Sequence, residues 1–296
     1  MDLKPVLSYE KQIERLTQIH NLVINDKETA IDILNKVNYY RLSGYGIGLT
    51  QGNDKERYQD GIPLEHLYEL YKFDSELKNK LVHLVEQIEI QLRTQIAYLL
   101  AMKYGAEGYT DVTNFSDKTN KQGQSIHKKI LDKFHTEADR QRNAPFVKHH
   151  FNKYNGHFPI WVAIELFTFG NLSSLYSIMK TEDKKSIAQL YKTKVTYLQS
   201  WILALVEIRN ICAHYGRLYN MPLKQHPRLH SEYSKYQSTS SVTKLFPSLI
   251  ALKRMFFSNS QWADFESQLE KLIDDNKAVV KLDFMGFPSN WKEILE

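Results

Sequence analysis

Between positions 67 and 99 apolar residues recur at steps of three or four, with one step of seven after Leu70: Leu67, Leu70, Leu77, Leu81, Leu84, Ile88, Leu92, Ile96 and Leu99. That period belongs to an α-helix; a strand would alternate every second residue. No proline or glycine interrupts the run between Pro63, a residue type suited to a helix start, and Gly105, one suited to a helix end. The spacing predicts one very long helix or two in series. A seam of that length has to be covered by other helices, so the expected fold class is all-α, a helical bundle.

Shorter stretches with helical spacing support this. They predict helices over about residues 8–23, with Ile13, Leu16, Ile19 and Val23 on one face, and over 27–37, with Asp26 as N-cap. Others fall near 124–136, 145–154, 159–180, 183–192, 196–215, 247–257 and 260–275. The turn "NYYRLSGYGIG" separates the second helix from the long one. On the long helix Glu89 and Arg93, four apart, are explained by an ordinary intrahelical ion pair. No internal repeat has a solenoid period. The expected organisation is a small N-terminal helical subdomain, 1–60, packed on a core domain, 61–296, with basic insertions and an acidic C-terminal helix.

A single cysteine, Cys212, excludes an intramolecular disulfide framework and a Cys-based zinc cluster. It suits a reducing, cytoplasmic setting and reads as a small buried apolar residue. The N-terminus has no apolar stretch followed by a cleavage site, and runs such as "WILALVEI" are far short of the ~20 residues that span a bilayer. No membrane partner is expected.

The net charge of +5 is unevenly spread. Residues 118–158 hold nine Lys/Arg against three Asp/Glu, with five histidines, and residues 224–254 hold six against one. These blocks read either as solvated faces or as a surface that tracks phosphates. In the second reading Lys128, Lys129, Arg140, Arg142, Lys148, His149 and His150 contact RNA. The histidines there have no metal-ligand spacing, so no metal or other cofactor is expected.

The stretch "EIRNICAHYGRLYN", 207–220, follows "LQSWILALV", which is apolar on nearly every side of a helix. Polar residues then arrive together. On a continued helix Glu207, Asn210, His214 and Arg217 fall within about 80° of one another, and Arg209 lies about 140° from His214. An Arg followed within a few residues by a His marks one class of metal-independent ribonuclease, but chance supplies such pairs too. Arg15–His20 lies on an ordinary amphipathic helix, and Arg142–His149 is interrupted by Pro145. Arg209–His214 alone sits at the end of a buried helix, where charged groups need partners or a purpose. A helix end that caps and pairs its own residues remains open as the alternative, with Glu207 answering an arginine.

Four blocks, "NYYRLSGY" at 38–45, "LYKFDSELKNKLVHLVEQIEIQLRTQIAYLLAMKYG" at 70–105, "PIWVAIELFTFGNLSSLY" at 159–176 and "WILALVEIRNICAHYGRLYN" at 201–220, resemble in order the signature blocks of the bacterial abortive-infection (Abi) phage-defence family. The last resembles the motif of HEPN-type ribonucleases. The resemblance implies a HEPN-like helical core and a homodimer. It implies an antiphage effector, a metal-independent endoribonuclease that uses the RNA's own 2′-hydroxyl as nucleophile, with DNA a non-substrate. Arg209, Asn210 and His214 would be catalytic, with Glu165, Glu207 and Arg217 in support; Glu165 would pair with Arg209 or His214. A bound small noncoding RNA is implied as controller. Tyr39, Tyr40 and Arg41 of the first block are candidates for stacking on a base and holding a phosphate. The alternative is a non-catalytic module, binding RNA or sensing phage, whose motif only grips phosphate.

Overall fold

Ser8 accepts a hydrogen bond from the Lys11 N–H and starts helix α1 (Tyr9–Gln18) in a computed structural model that describes residues 5–237 and 241–296. The helix is shorter than its spacing predicts. Asn21 takes a left-handed φ of 62° and turns the chain, which buries Leu22 and leaves Ile19 and Val23 exposed. Helix α2 (Lys27–Lys36) is capped by Asp26, whose carboxylate accepts from the Thr29 N–H at 2.7 Å. Helix α3 (Tyr39–Ser43) is capped in the same way by Asn38. A small antiparallel hairpin follows, β1 (Thr50–Gln51) and β2 (Asp54–Tyr58), which the polar sequence there does not predict. Backbone bonds hold it in place: Tyr58 N–H donates to the His20 carbonyl, and Gln59 N–H to that of Leu49.

The long apolar seam forms one helix, α4 (Leu64–Tyr104), of 41 residues. Pro63 precedes it in an extended conformation, and Gly105 ends it with a φ of 80°. Its inward residues, from Leu64 and Leu67 through Leu92 and Ile96 to Leu100, are almost fully buried. Leu99 is half-buried.

Helices α5 (Ile126–Arg140) and α6 (Pro145–Tyr154) follow. The helix expected over 159–180 is broken in the middle. Its pieces are α7 (Ile160–Ala163), a 3-10 turn over Ile164–Leu166, and α8 (Phe169–Ile178), capped by Thr168. The break lies where the Arg93 guanidinium of α4 takes the carbonyls of Ile164 and Phe167 as hydrogen-bond acceptors. Helices α9 (Thr181–Leu190), α10 (Val195–Ala213), α11 (Leu245–Met255), α12 (Asn259–Asp275) and the short α13 (Trp291–Leu295) complete the chain. Apart from the hairpin, the described residues make an all-α bundle.

Helix α10 packs on α4, α8 and α11, and α8 also meets α5. Leu198, Trp201, Ile202, Ala204, Leu205, Ile208 and Cys212 of α10 are buried in these contacts. The N-terminal helices α2 and α3 also rest on α4. The bundle therefore delivers the end of α10 to the surface between α4 and the turn that follows α3.

Candidate functional site

Helix α10 ends in a tight C-terminal turn. His214 is the C-cap, and its N–H donates to the Asn210 carbonyl at 3.0 Å. Tyr215 follows in the left-handed region, with a φ of 56°. The Tyr215 N–H donates to the Cys212 carbonyl and the Gly216 N–H to that of Ile211, at 3.3 and 2.8 Å. This pair of bonds is a Schellman motif, which normally has glycine where Tyr215 stands.

The chain beyond that turn is braced from several directions. Asp74 of α4 is fully buried, and its Oδ1 accepts from the N–H groups of Leu218 and Tyr219 at 3.0 and 2.7 Å. Its Oδ2 accepts from the Tyr45 hydroxyl at 2.8 Å and pairs with Lys78 Nζ at 3.1 Å. Burial and the Asp74 carboxylate raise the Tyr45 hydroxyl pKa. Lys78 also donates to the Gly216 carbonyl at 2.8 Å. Arg217 reaches the Gly44 carbonyl and lies over the Tyr45 ring, and Asn220 donates to the Ile47 carbonyl at 2.8 Å. Arg41 donates to the Tyr215 carbonyl at 2.6 Å. A buried ion pair completed by backbone hydrogen bonds satisfies its charges and also fixes the loop.

The motif side chains leave this frame in two directions. Arg209 turns toward α4, where its Nε lies 3.6 Å from Glu89 Oε2. The other Glu89 oxygen accepts from Arg93, so a chain of charges runs from Arg209 through Glu89 to Arg93 and the broken segment at Ile164. Arg209 also donates, at 3.4 Å, to Oδ1 of Asn210. Asn210 and His214 are exposed, and the His214 imidazole makes no hydrogen bond or ion pair with the described residues. Asn210 is therefore engaged with Arg209, and it does not orient the imidazole.

Several expected site residues sit elsewhere. Because the helix stops at Ala213, Arg217 is not on the stripe with Glu207 and His214; it turns inward as a brace. Glu207 accepts from the backbone N–H groups of Lys224 and Gln225, so it anchors the following loop and answers no arginine. Glu165 is exposed on the 3-10 turn beside Trp161 and Tyr98, and it pairs with neither Arg209 nor His214. Sequence reasoning misses two partners of the motif, Glu89 and Asp74. Glu89 does form its intrahelical pair with Arg93, but its 120-residue separation from Arg209 leaves no local signal of the second contact.

The expected nucleic-acid contacts also separate. Tyr40 is 89% exposed and Arg41 is exposed, but Tyr39 is half-buried with its ring against that of His20. Lys128, Lys129 and Lys148 are exposed with no ion-pair partner among the described residues. Arg140 is committed to Glu137, which holds that carboxyl down to about 2, and Arg142 pairs with Asp139 at 3.3 Å and covers the Phe151 ring. His149 is exposed, whereas His150 is buried, stacked on Phe158 and bonded to the Phe146 carbonyl, which removes it from a surface role. Among the described residues no three His, Cys, Asp or Glu side chains form a metal-binding group, and no helix is long and apolar enough to cross a membrane.

A family model described as "Abi-like protein" matches residues 32–220. That span begins within α2 and ends at Asn220, so it contains α3, α4, α10 and the braced loop that follows α10. No curated protein and no solved structure matches the chain.

Proposed function

The chain belongs to the Abi-like protein family, and from that premise we propose that this abortive-infection phage-defence protein acts by cutting RNA without a metal ion. One observation carries the reading. The backbone over 215–220 is held by Asp74, Lys78, Arg217 and Arg41, while the side chain that this frame presents, His214, bonds to nothing within the described chain. A frame that rigid is superfluous for a surface histidine and useful for a proton-transfer group.

In the reaction proposed, the ribose 2′-hydroxyl attacks the adjacent phosphorus, and the bond from phosphorus to the 5′-oxygen breaks. The products are a 2′,3′-cyclic phosphate and a 5′-hydroxyl. Imidazole exchanges protons near neutral pH, so His214 takes the proton from the 2′-hydroxyl or gives one to the leaving oxygen. Arg209, fixed at one edge by Glu89 and at another by Asn210, offers its remaining N–H groups to the phosphate oxygens as charge builds there. DNA, without the nucleophile, is not cut.

One histidine does not easily serve both ends of one bond, so a second copy of the chain is proposed to supply the other. The surface of α4 beside Glu89 supports such a dimer. Its solvent stripe is polar at Glu76, Asn79, His83 and Glu86, then turns apolar at Ile90, Tyr98 and Met102, which are 56%, 69% and 71% exposed. Trp161 and Leu190 flank it, also exposed. A small noncoding RNA lying on the exposed lysines of α5 and α6 is the proposed controller.

The test is an RNA that carries one 2′-deoxyribose at its cleavage site. Cleavage there should stop while neighbouring sites continue. Cutting at the deoxy position would exclude attack by the 2′-hydroxyl.

A further inference from the structure

Five non-glycine residues among those described adopt a left-handed backbone: Asn21, Asn155, Lys192, Tyr215 and Asn220. Three are asparagine, a type that tolerates this conformation through its short polar side chain. Tyr215 is the aromatic exception, and its Cβ makes the conformation unfavourable relative to glycine. The ring returns nothing to the fold. It is 74% exposed and makes no ring contact or hydrogen bond with the described chain.

The strain is nevertheless held firmly. The Tyr215 carbonyl accepts from Arg41 at 2.6 Å and the next carbonyl, that of Gly216, from Lys78 at 2.8 Å. The backbone on both sides of the ring is thus fixed, and the ring is displayed beside His214. Tyr40, the residue before Arg41 in the chain, is 89% exposed. Strained conformations that surrounding groups over-determine concentrate at ligand clamps. A displayed aromatic ring whose backbone is held by an arginine matches the chemistry of an unpaired nucleobase and its phosphate, because every base offers a π-face and stacking tolerates any sequence.

We propose that Tyr215 is a substrate-binding residue that stacks an unpaired RNA base next to His214, so that the RNA bound is single-stranded at the motif. The assignment rests on the RNA-cutting reading above. Its test uses the full chain and a fluorescein-labelled, fully 2′-O-methylated single strand, whose blocked nucleophile lets binding be read without cleavage. A second strand of the same length carries 2′-O-methylated abasic sites throughout.

Tyr215→Gly should weaken binding of the intact strand by about 5- to 150-fold, the range expected for removal of one stacked base, and leave the abasic strand unchanged. Tyr215→Trp should restore it. Glycine suits the left-handed position, so the Tyr215→Gly protein should melt at or above the wild-type temperature. Tyr215→Asn, which also tolerates that backbone, should repeat the loss. Wild-type affinity of Tyr215→Gly for the intact strand, or an equal loss on the abasic strand, would overturn the stacking role while leaving the RNA reading in place. A wild-type protein that binds neither strand would overturn both.

Discussion

Glu89 and Arg209, on different helices and 120 residues apart, meet with Oε2 of the carboxylate 3.6 Å from Nε of the guanidinium. The same carboxylate holds Arg93, whose side chain is 11% exposed, so Glu89 neutralises a buried cation as well as orienting a surface one. The two partners should respond unequally to deletion. Glu89→Ala strands Arg93 and should cost about 3–5 kcal/mol of stability. Arg209→Ala, removing a side chain 35% exposed, should cost about 1 kcal/mol or less. Urea denaturation of both variants checks this, and equal losses would show that the charge chain is not organised around Glu89.

Cys212 reports on how tightly the end of α10 is packed. It is the only cysteine, and burial pushes its thiol up to about 12. An acid whose pKa is raised favours the folded state in its neutral form. The thiol therefore costs nothing at neutral pH, and stability falls as pH rises through the unfolded thiol's value, about 8.5, toward 12. At pH 8 iodoacetamide should label the folded protein far more slowly than the protein in urea. Equal rates would mean that the helix end is open.

The cations of α5, α6 and the turn between them are not equivalent. Lys128, Lys129 and Lys148 have no ion-pair partner among the described residues, whereas Arg140 and Arg142 are already engaged by Glu137 and Asp139. Changing each lysine to glutamate should lower RNA affinity and reduce the salt slope by about one for each phosphate that is no longer neutralised. Arg140→Glu should do less. A uniform effect across the five, or none, would remove the segment from the RNA surface.

The apolar end of the α4 stripe should be the dimer face. Tyr98→Glu and Met102→Glu place a charge on residues 69% and 71% exposed, so neither should change the melting temperature much. Both should convert a dimer to monomer in sedimentation equilibrium and abolish cleavage. Dimers that survive both changes would place the interface elsewhere.

Much of the frame is legible in local chemistry. The three- and four-residue steps predict helix along the whole of α4, though not whether it is one helix or two, and Gly105 its end, Asp26 a cap, and the apolar run before Glu207 a buried α10. What escapes is tertiary. The helix over 159–180 breaks because Arg93, a residue of another element, captures its carbonyls. The hairpin at Thr50–Gln51 and Asp54–Tyr58 has a polar sequence with only Tyr58 buried, so no alternation announces it. A continued helix projects Arg217 onto the wrong face because nothing in "AHYGRL" but Gly216 signals a stop, and the left-handed residue is Tyr215. Asp74 reads as one more polar residue on a long helix, although it organises the loop after the motif.

The most direct measurement is cleavage of end-labelled RNA in EDTA by the wild-type protein and by His214→Ala, each washed at high salt to strip bound RNA. Because His214 bonds to nothing in the described chain, the substitution should leave the melting temperature within about 1–2 °C of wild type. The wild type should yield fragments ending in cyclic phosphate, and the variant none. Equal cleavage by the two proteins, or tight binding by both with no cleavage by either, would contradict a catalytic His214.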